Sequence, residues 1–132
     1  MNPRYPAVAE RAGYRCEYCH APQAAFNFRF EVEHILPRAE GGTDEEDNLA
    51  LACRSCNIYK SAHSTGFDEI TRAEVRLFNP RVDAWEEHFE LFTAGLIWSR
   101  TDVGRATVMR LRLNSRAQLN ARPQWMRLGL FP

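Results

Sequence analysis

Apolar and polar side chains alternate along the segment that precedes the first glycine pair. The apolar positions are Phe26, Phe28, Phe30 and Val32, and the polar positions between and after them are Asn27, Arg29, Glu31 and Glu33. A repeat of two residues is typical of a strand with one buried face. Because Pro37 has no N–H with which to continue a ladder, the pattern predicts a strand over residues 27–36.

Shorter patterns predict the elements that follow this strand. The glycine pair at 41–42 predicts a turn, and Thr43 with Glu46 has the spacing of a capping box that begins one helical turn. The apolar run 49–52 is too short to show a period, and we interpret it as a second strand. Residues 54–62 contain no proline or glycine and predict a short helix. The predicted order is therefore strand, loop, strand, helix.

The C-terminal half is predicted to consist of further short elements, which makes the fold class α+β. These elements are a helix over 80–89, a hairpin over 89–101 that turns at 94–95, and helices over 102–113 and 115–122. Ser115 and Gln118 have the spacing of a second capping box. Pro123 is expected to disturb the end of the last helix because it lacks an N–H.

Length and composition indicate one ordinary folded domain. The chain has 132 residues, of which 45% are hydrophobic and 26% charged, and this excludes collagen-like and largely disordered classes. No apolar run approaches the roughly 20 residues of a membrane helix. The opening residues 1–4 lack the apolar core of a signal peptide, so we expect a cytoplasmic protein.

Charge is balanced overall and uneven along the chain. Seventeen basic and seventeen acidic residues give a formal net charge of zero, which by itself does not indicate a nucleic-acid partner. Residues 31–52 carry seven acids and one base, whereas residues 101–132 carry six arginines and one acid. These arginines form either one solvated helical face or a grip on a DNA backbone. They are Arg105, Arg110, Arg112, Arg116, Arg122 and Arg127.

All four cysteines lie in two identical pairs, Cys16-x-x-Cys19 and Cys53-x-x-Cys56. Such paired turns bring four thiolates to one tetrahedral ion, and a four-cysteine set is a closed structural zinc site. Two disulfides fit the expected compartment poorly, while a rubredoxin-like iron site has the same spacing. Zinc binding at such a site contributes on the order of 10 kcal/mol to folding, and here it would join both ends of the segment between Cys19 and Cys53.

A specific series of residues lies between and just after the two cysteine pairs. It consists of Glu33-His34-Ile35-Leu36-Pro37, Gly41-Gly42, Asp47-Asn48-Leu49 and Cys56-Asn57-Ile58-Tyr59-Lys60. This series resembles the HNH endonuclease family, and the resemblance runs from Cys16 to Lys60. Residues 74–108 are also similar to the ends of small stand-alone bacterial HNH proteins.

The resemblance implies a ββα-metal (His-Me finger) core with a four-cysteine zinc clamp, placed in residues 1–66. Residues 67–132 are then expected to be an extension packed on this core, not an independent domain. The implied activity is metal-dependent hydrolysis of DNA phosphodiester bonds. In that activity His34 would be the general base, Asn48 would orient it, and Asn57 and Glu33 would bind the divalent ion.

Elementary chemistry agrees with these implied roles. Histidine has an ordinary pKa near 6.5 and accepts a proton from water at neutral pH. A carboxylate, an amide oxygen, a substrate phosphate and waters suit Mg²⁺, and we expect Mg²⁺ or Mn²⁺ as the catalytic ion. Lys60 lies three residues after Asn57 on the same helical face, where its ammonium group could contact a phosphate.

One feature of the pattern opposes the implied site. In a regular strand Glu33 and His34 point to opposite faces, and His34 shares the apolar face of Phe30 and Val32. A bulge or twist before Pro37 would bring both side chains to one edge, and only the resemblance suggests one.

Structural interpretations of the same residues stay open. His34 alone could be a buried strand histidine, Asn48 a turn residue, and Asn57 a polar residue after a cysteine pair. The remaining histidines are interpreted as surface or packing residues; they are His20, His63 and His88. The alternative function is a non-catalytic zinc-stabilised nucleic-acid-binding module, and a third is a zinc-stapled interaction domain. A homodimer is compatible with double-strand cleavage.

Overall fold

The computed structural model describes residues 2–132 as short helices and three two-stranded antiparallel sheets. The α-helices are α1 (Tyr5–Arg11), α2 (Arg54–Lys60), α3 (Trp85–His88), α4 (Asp102–Leu111) and α5 (Arg116–Arg127). The strands pair as β1 (Glu31–His34) with β2 (Leu49–Ala52), β3 (Thr65–Asp68) with β4 (Ala73–Arg76), and β5 (Phe89–Leu91) with β6 (Ile97–Ser99). The mixed class predicted from the sequence is confirmed.

The first sheet and the helix after it form the centre of the molecule. In the β1–β2 ladder Glu31 pairs with Ala52 and His34 with Leu49. All residues of β2 are buried, and the chain enters α2 directly after it. Cys53 caps α2 through its sulfur, which accepts a hydrogen bond from the N–H of Cys56. The predicted second strand and the predicted helix from residue 54 are confirmed.

The strand β1 is shorter than the predicted strand over 27–36. Its residues 31–34 pair with β2, but Phe30 donates its N–H to the side chain of Gln23 (2.8 Å) and not to a strand. The rings of Phe26 and Phe30 lie 5.1 Å apart, so the aromatic alternation builds a side-chain cluster and not a ladder. After His34, the side chain of Asn48 bonds the N–H and C=O of Leu36, which ends the pairing.

The capping box predicted at Thr43 does not form. The Thr43 hydroxyl accepts from the N–H of Glu45 within a turn, and a single 3₁₀ turn follows over Glu46–Asn48. The guanidinium of Arg11 holds that turn by donating to the carbonyls of Glu46 (2.8 Å) and Leu49 (2.5 Å). This contact comes from α1, which the sequence pattern did not predict.

In the C-terminal half the predicted hairpin is confirmed, while the helix predicted over 80–89 is only the single turn α3. The hairpin of β3 and β4 was not predicted. The helix α5 continues past Pro123 to Arg127, contrary to the expected disturbance. A proline removes one backbone hydrogen bond, and the buried neighbours Arg122 and Trp125 hold the helix through it by packing.

Both halves of the chain contribute to one hydrophobic core. Arg105 of α4 makes two hydrogen bonds to the buried carboxylate of Asp68 at the end of β3 (2.7 and 3.0 Å). The indole of Trp85 donates to the carbonyl of Tyr18 (2.9 Å), which lies in the first cysteine turn. No helix within residues 2–132 combines the length and apolar character needed to cross a membrane.

Arg122 is a fully buried cation that joins three parts of the C-terminal half. Its guanidinium donates to the carbonyl of Gly95 (2.7 Å), to the side chain of Asn114 (3.2 Å) and to the carbonyl of Leu113. Burial lowers its pKa from the ordinary value. These bonds tie the tip of the β5–β6 hairpin to the link between α4 and α5.

We therefore expect Arg122→Ala to lower the free energy of unfolding by about 2–4 kcal/mol, because it leaves buried carbonyls without donors. Arg127→Ala, at the exposed end of the same helix, is the matched control and should change stability little. Denaturant unfolding of the metal-loaded protein measures both. Equal effects of the two substitutions would contradict this role of Arg122.

Candidate functional site

The four cysteines converge at one buried point. Cys16 and Cys19 lie in the turn after α1, and Cys53 and Cys56 lie at the start of α2. Their sulfur atoms all lie within 4.8 Å of one another, and those of Cys19 and Cys53 are 3.7 Å apart. A tetrahedral ion with bonds to sulfur of about 2.3 Å requires sulfur–sulfur distances of about 3.8 Å. The sulfurs therefore fit a four-cysteine zinc site, and no disulfide joins them.

Neighbouring donors support this sulfur cluster. The N–H of Cys19 points to the sulfur of Cys16 (3.5 Å), and that of Cys56 points to the sulfur of Cys53 (3.4 Å). Hydrogen bonds among the cysteine side chains, first of all with Cys16, lower the pKa of Cys19 and raise the pKa values of Cys53 and Cys56. The backbone N–H donors favour the thiolate form that a metal requires.

A further donor to the cluster comes from the C-terminal half. The amide of Gln118 donates to the sulfur of Cys19 (3.8 Å) across 99 residues of sequence. Its backbone N–H is capped by the Ser115 hydroxyl (3.3 Å). The hydrogen bond that the predicted capping box requires at Ser115 is thus confirmed. The second one is replaced, because the Gln118 side chain donates to the Cys19 sulfur and not to Ser115.

His34 lies at the end of β1, with its imidazole about a quarter exposed. Its Nε2 atom is 2.7 Å from the Oδ1 atom of Asp44, and Arg38 approaches the same carboxylate at 3.4 Å. The hydrogen bond with His34 lowers the pKa of Asp44 from its ordinary value. Asp44 could not be singled out from the sequence, because nothing distinguishes it from its neighbours in the acidic run.

Asn48 does not touch the imidazole. Its side-chain oxygen accepts from the N–H of Leu36 (2.9 Å), and its amide donates to the carbonyls of Leu36 (3.0 Å) and Thr43 (2.9 Å). A side chain on Gly42 would lie 1.8 Å from the carbonyl oxygen of Leu36, so only glycine fits this loop. Asn48 thereby closes the loop that contains Thr43 and Asp44. Any effect of Asn48 on the orientation of His34 therefore passes through this loop.

Glu33 is the buried residue of β1 and precedes the partly exposed His34. Its side chain is 4% exposed, accepts a hydrogen bond from the Tyr18 hydroxyl and forms an ion pair with Lys60 at 3.0 Å. Burial raises the pKa of Glu33, against the opposing effects of Lys60 and Tyr18. Each carboxylate oxygen has one partner, and Glu33 also lines the pocket that holds His34 and Asn57, so its role as an ion ligand stays a prediction.

Lys60 is buried, whereas the expected contact with a phosphate requires an accessible ammonium group. Its ammonium group is 1% exposed and donates to the backbone carbonyls of His34 (2.8 Å) and Ile35 (2.9 Å) as well as to Glu33. A side chain buried in this way cannot reach a phosphate in solution. Lys60 instead holds the end of the strand from which His34 projects.

Asn57 and His34 line one open pocket of about 330 Å³ at the edge of β1 and α2. The amide of Asn57 donates to the carboxylate of Glu31 (2.5 Å). Arg38 also lines this pocket and supplies a cation that the sequence analysis did not select. Glu33 lines the same pocket. The structure thus brings His34, Asn57, Glu33, Arg38 and the Asp44 carboxylate into one region, and Lys60 is not among the lining residues.

The remaining histidines match their interpretation as packing or surface residues. His20 stacks on Trp85 with ring centres 4.3 Å apart, His88 is buried beside Thr101 (2.6 Å), and His63 is exposed.

Three of the six C-terminal arginines are engaged within the protein, and Arg112, Arg116 and Arg127 are exposed. Arg105 is bound to Asp68, Arg110 donates to the carbonyl of Thr65, and Arg122 is buried. The guanidinium of Arg112 lies 4.5 Å from the centre of the Tyr59 ring.

Comparison with known proteins identifies the segment that contains these residues. Residues 16–63 match the family model described as HNH endonuclease. No curated protein and no solved structure matches the chain. The match spans both cysteine pairs, β1, β2 and α2, and it ends before β3.

We expect the purified protein to contain one zinc ion per chain, because the sulfur positions fit a tetrahedral ion. Chelation should remove the ion and lower the melting temperature, since zinc binding contributes on the order of 10 kcal/mol to folding. Elemental analysis with thermal unfolding measures both and distinguishes zinc from iron. Cys56→Ser should lose the metal, whereas His63→Ala should keep it; an unchanged melting temperature without metal would contradict the assignment.

Lys60→Met should lower the free energy of unfolding by about 3–5 kcal/mol, because it leaves the buried carboxylate of Glu33 without its cation. The double variant Glu33→Gln with Lys60→Met should recover part of this loss, because it removes both charges. Chemical denaturation of the metal-loaded variants is the measurement. A stable Lys60→Met protein with weakened DNA binding would instead support a phosphate contact.

Proposed function

We propose that this chain, whose residues 16–63 belong to the HNH endonuclease family, is a metal-dependent endonuclease that hydrolyses DNA phosphodiester bonds. The observation that carries the proposal is the position of His34. Its imidazole is partly exposed at an open pocket and hydrogen-bonded to a carboxylate, which is the arrangement a general base requires. In this proposal β1, β2 and α2 are the ββα-metal motif.

The hydrogen bond to Asp44 selects the reacting nitrogen of His34. A neutral imidazole carries one N–H and one acceptor nitrogen, and a carboxylate at Nε2 favours the proton there. Nδ1 is then the acceptor that takes a proton from water. As the imidazole becomes positively charged, the carboxylate of Asp44 stabilises it. Asp44 acts through His34 and is a positioning residue.

The chemical step follows from this assignment. The proton of water moves to Nδ1 of His34, the water oxygen bonds to phosphorus, and the bond from phosphorus to O3′ breaks with its electron pair on O3′. After O3′ takes a proton from solvent, one product ends in a 3′ hydroxyl and the other in a 5′ phosphate. Arg38, at the mouth of the pocket, supplies positive charge for the phosphate oxygens.

The proposed cofactor of this step is Mg²⁺ or Mn²⁺. Such an ion, when bound, withdraws charge from the phosphate and from the leaving oxygen. The pocket offers the Asn57 carboxamide as a ligand, together with substrate phosphate and water. Glu33, which lines the same pocket, is the proposed carboxylate ligand beside Asn57.

The rest of the chain supports this site. We propose residues 1–66 as the nuclease core and residues 67–132 as an extension that does not fold independently. Three contacts support this division of roles: Trp85 with Tyr18, Arg81 with Glu17, and Gln118 with Cys19. The extension thus buttresses the zinc cluster on which the core depends.

We expect His34→Ala to reduce cleavage of supercoiled plasmid in Mg²⁺ or Mn²⁺ by about 100-fold or more, because general-base catalysis contributes about that much. Asp44→Asn should reduce the rate by at least about tenfold, since the amide cannot stabilise a charged imidazole. Asp47→Asn, an exposed acid of the same loop, is the matched control. Gel-based cleavage rates and DNA affinities measure the effects.

Two results would overturn the mechanism. The first is a His34→Ala protein that cuts DNA as fast as the wild type. The second is a zinc-loaded wild type that binds DNA, loses affinity with added salt and never nicks it; this is the behaviour of a non-catalytic binding module.

A further inference from the structure

Two aromatic side chains remain exposed in the segment between α1 and β1. Tyr14 is 49% and Phe28 is 42% exposed, although the neighbouring Phe30 is buried. The predicted strand does not account for Phe28, because pairing begins only at Glu31. The zinc cluster and the pocket at His34 do not use either ring.

Tyr14 and Phe28 line the same cleft. Its volume is about 450 Å³, and it is also lined by Gln23, Ala24, Phe26, Asn27 and Arg29. Aromatic faces beside side-chain amides suit a flat heterocycle, because the rings stack on its faces and the amides reach its polar edge. We refer to the site that these seven residues line as the aromatic cleft.

The walls of the aromatic cleft are held in place before any ligand binds. The Phe28 ring packs edge-on against Phe26 (5.5 Å between ring centres), and Phe26 packs against Trp125 of α5 (5.7 Å). Tyr14 has a φ of 58°, which is uncommon for a bulky residue. Its N–H bonds the carbonyl of Ala9 (2.9 Å) and its carbonyl accepts from Gln23 (3.0 Å).

A cation lies beside the cleft. The exposed guanidinium of Arg54 is 5.8 Å from the centre of the Phe28 ring. Arg54 is the first residue of α2, three residues before Asn57, which lines the pocket at His34. An aromatic face next to an arginine is the combination that binds bases of single strands, because the cation attracts the phosphates between them.

The distance to the proposed reaction centre suits one nucleic-acid strand. Six residues separate Phe28 from His34, so their Cα atoms lie at most about 20 Å apart. At about 3.4 Å per nucleotide along a strand, this corresponds to no more than about six nucleotides. One strand can therefore contact both places.

We propose that the aromatic cleft binds an unpaired nucleobase of the DNA strand, stacked on Phe28 and Tyr14. The inference rests on the proposed nuclease function and adds a substrate class to it. Bases inside a duplex are already stacked on each other and cannot enter such a cleft. The preferred substrate therefore has an unpaired segment within a few nucleotides of the scissile phosphate.

The test is binding of a short oligodeoxynucleotide that carries one 2-aminopurine, whose fluorescence falls when it stacks. The full zinc-loaded chain with His34→Ala is used, so that cleavage does not interfere and binding is measured independently of catalysis. Phe28→Ala should weaken single-strand binding by about 5- to 100-fold and abolish the fluorescence change. Affinity for the matching duplex should stay within about twofold.

The controls separate stacking from general damage. Phe92→Ala removes a ring of similar exposure (40%) from the β5–β6 hairpin and should leave single-strand binding unchanged. Phe28→Tyr keeps an aromatic face and should retain binding, and Arg54→Gln should weaken binding and reduce its salt dependence by about one phosphate contact.

Equal losses for single strand and duplex, or equal losses for Phe28→Ala and Phe92→Ala, would overturn the proposal. Failure of the nuclease proposal has a different signature. In that case neither the wild type nor any variant of the aromatic cleft cuts DNA.

Discussion

The convergence of four sulfur atoms is the constraint on which the rest of this structure depends. It brings the turn after α1 against the start of α2 although Cys19 and Cys53 are 34 residues apart in sequence. A domain of this size buries a limited core, and a metal ion of this kind contributes a large share of the folding free energy. In sequence the strand β1 lies between the two cysteine pairs. Joining the pairs therefore also restricts the position of β1.

The C-terminal half takes part in the same constraint. Gln118 donates to a cysteine sulfur, and Trp85 donates to a carbonyl within the first cysteine turn. Donors of this kind orient metal ligands and tune their basicity. The second half of the chain therefore contributes to the four-cysteine cluster itself and does not merely cover it.

A second physical principle governs the end of β1. Glu33 is buried although it lines the same pocket as the partly exposed His34. A buried carboxylate requires a partner, and Lys60 is the cation that α2 presents to it. The same ammonium group holds the carbonyls of His34 and Ile35 and so fixes the point from which the imidazole projects. Residues of one short motif thus divide between a buried support and an open pocket.

The sequence by itself determined the features that depend on local spacing: the paired cysteines and the order of two strands and a helix. Tertiary structure decided which partners these residues meet. Asp44 is one acid among several in its run, and only the closure of the loop by Asn48 carries it to His34. Gln118 reaches Cys19 across 99 residues, which no local pattern records. Burial of Lys60 likewise depends on how α2 packs on β1. From the sequence alone a charged residue on a short helix is expected to be exposed, and only the packing shows that Glu33 is its partner.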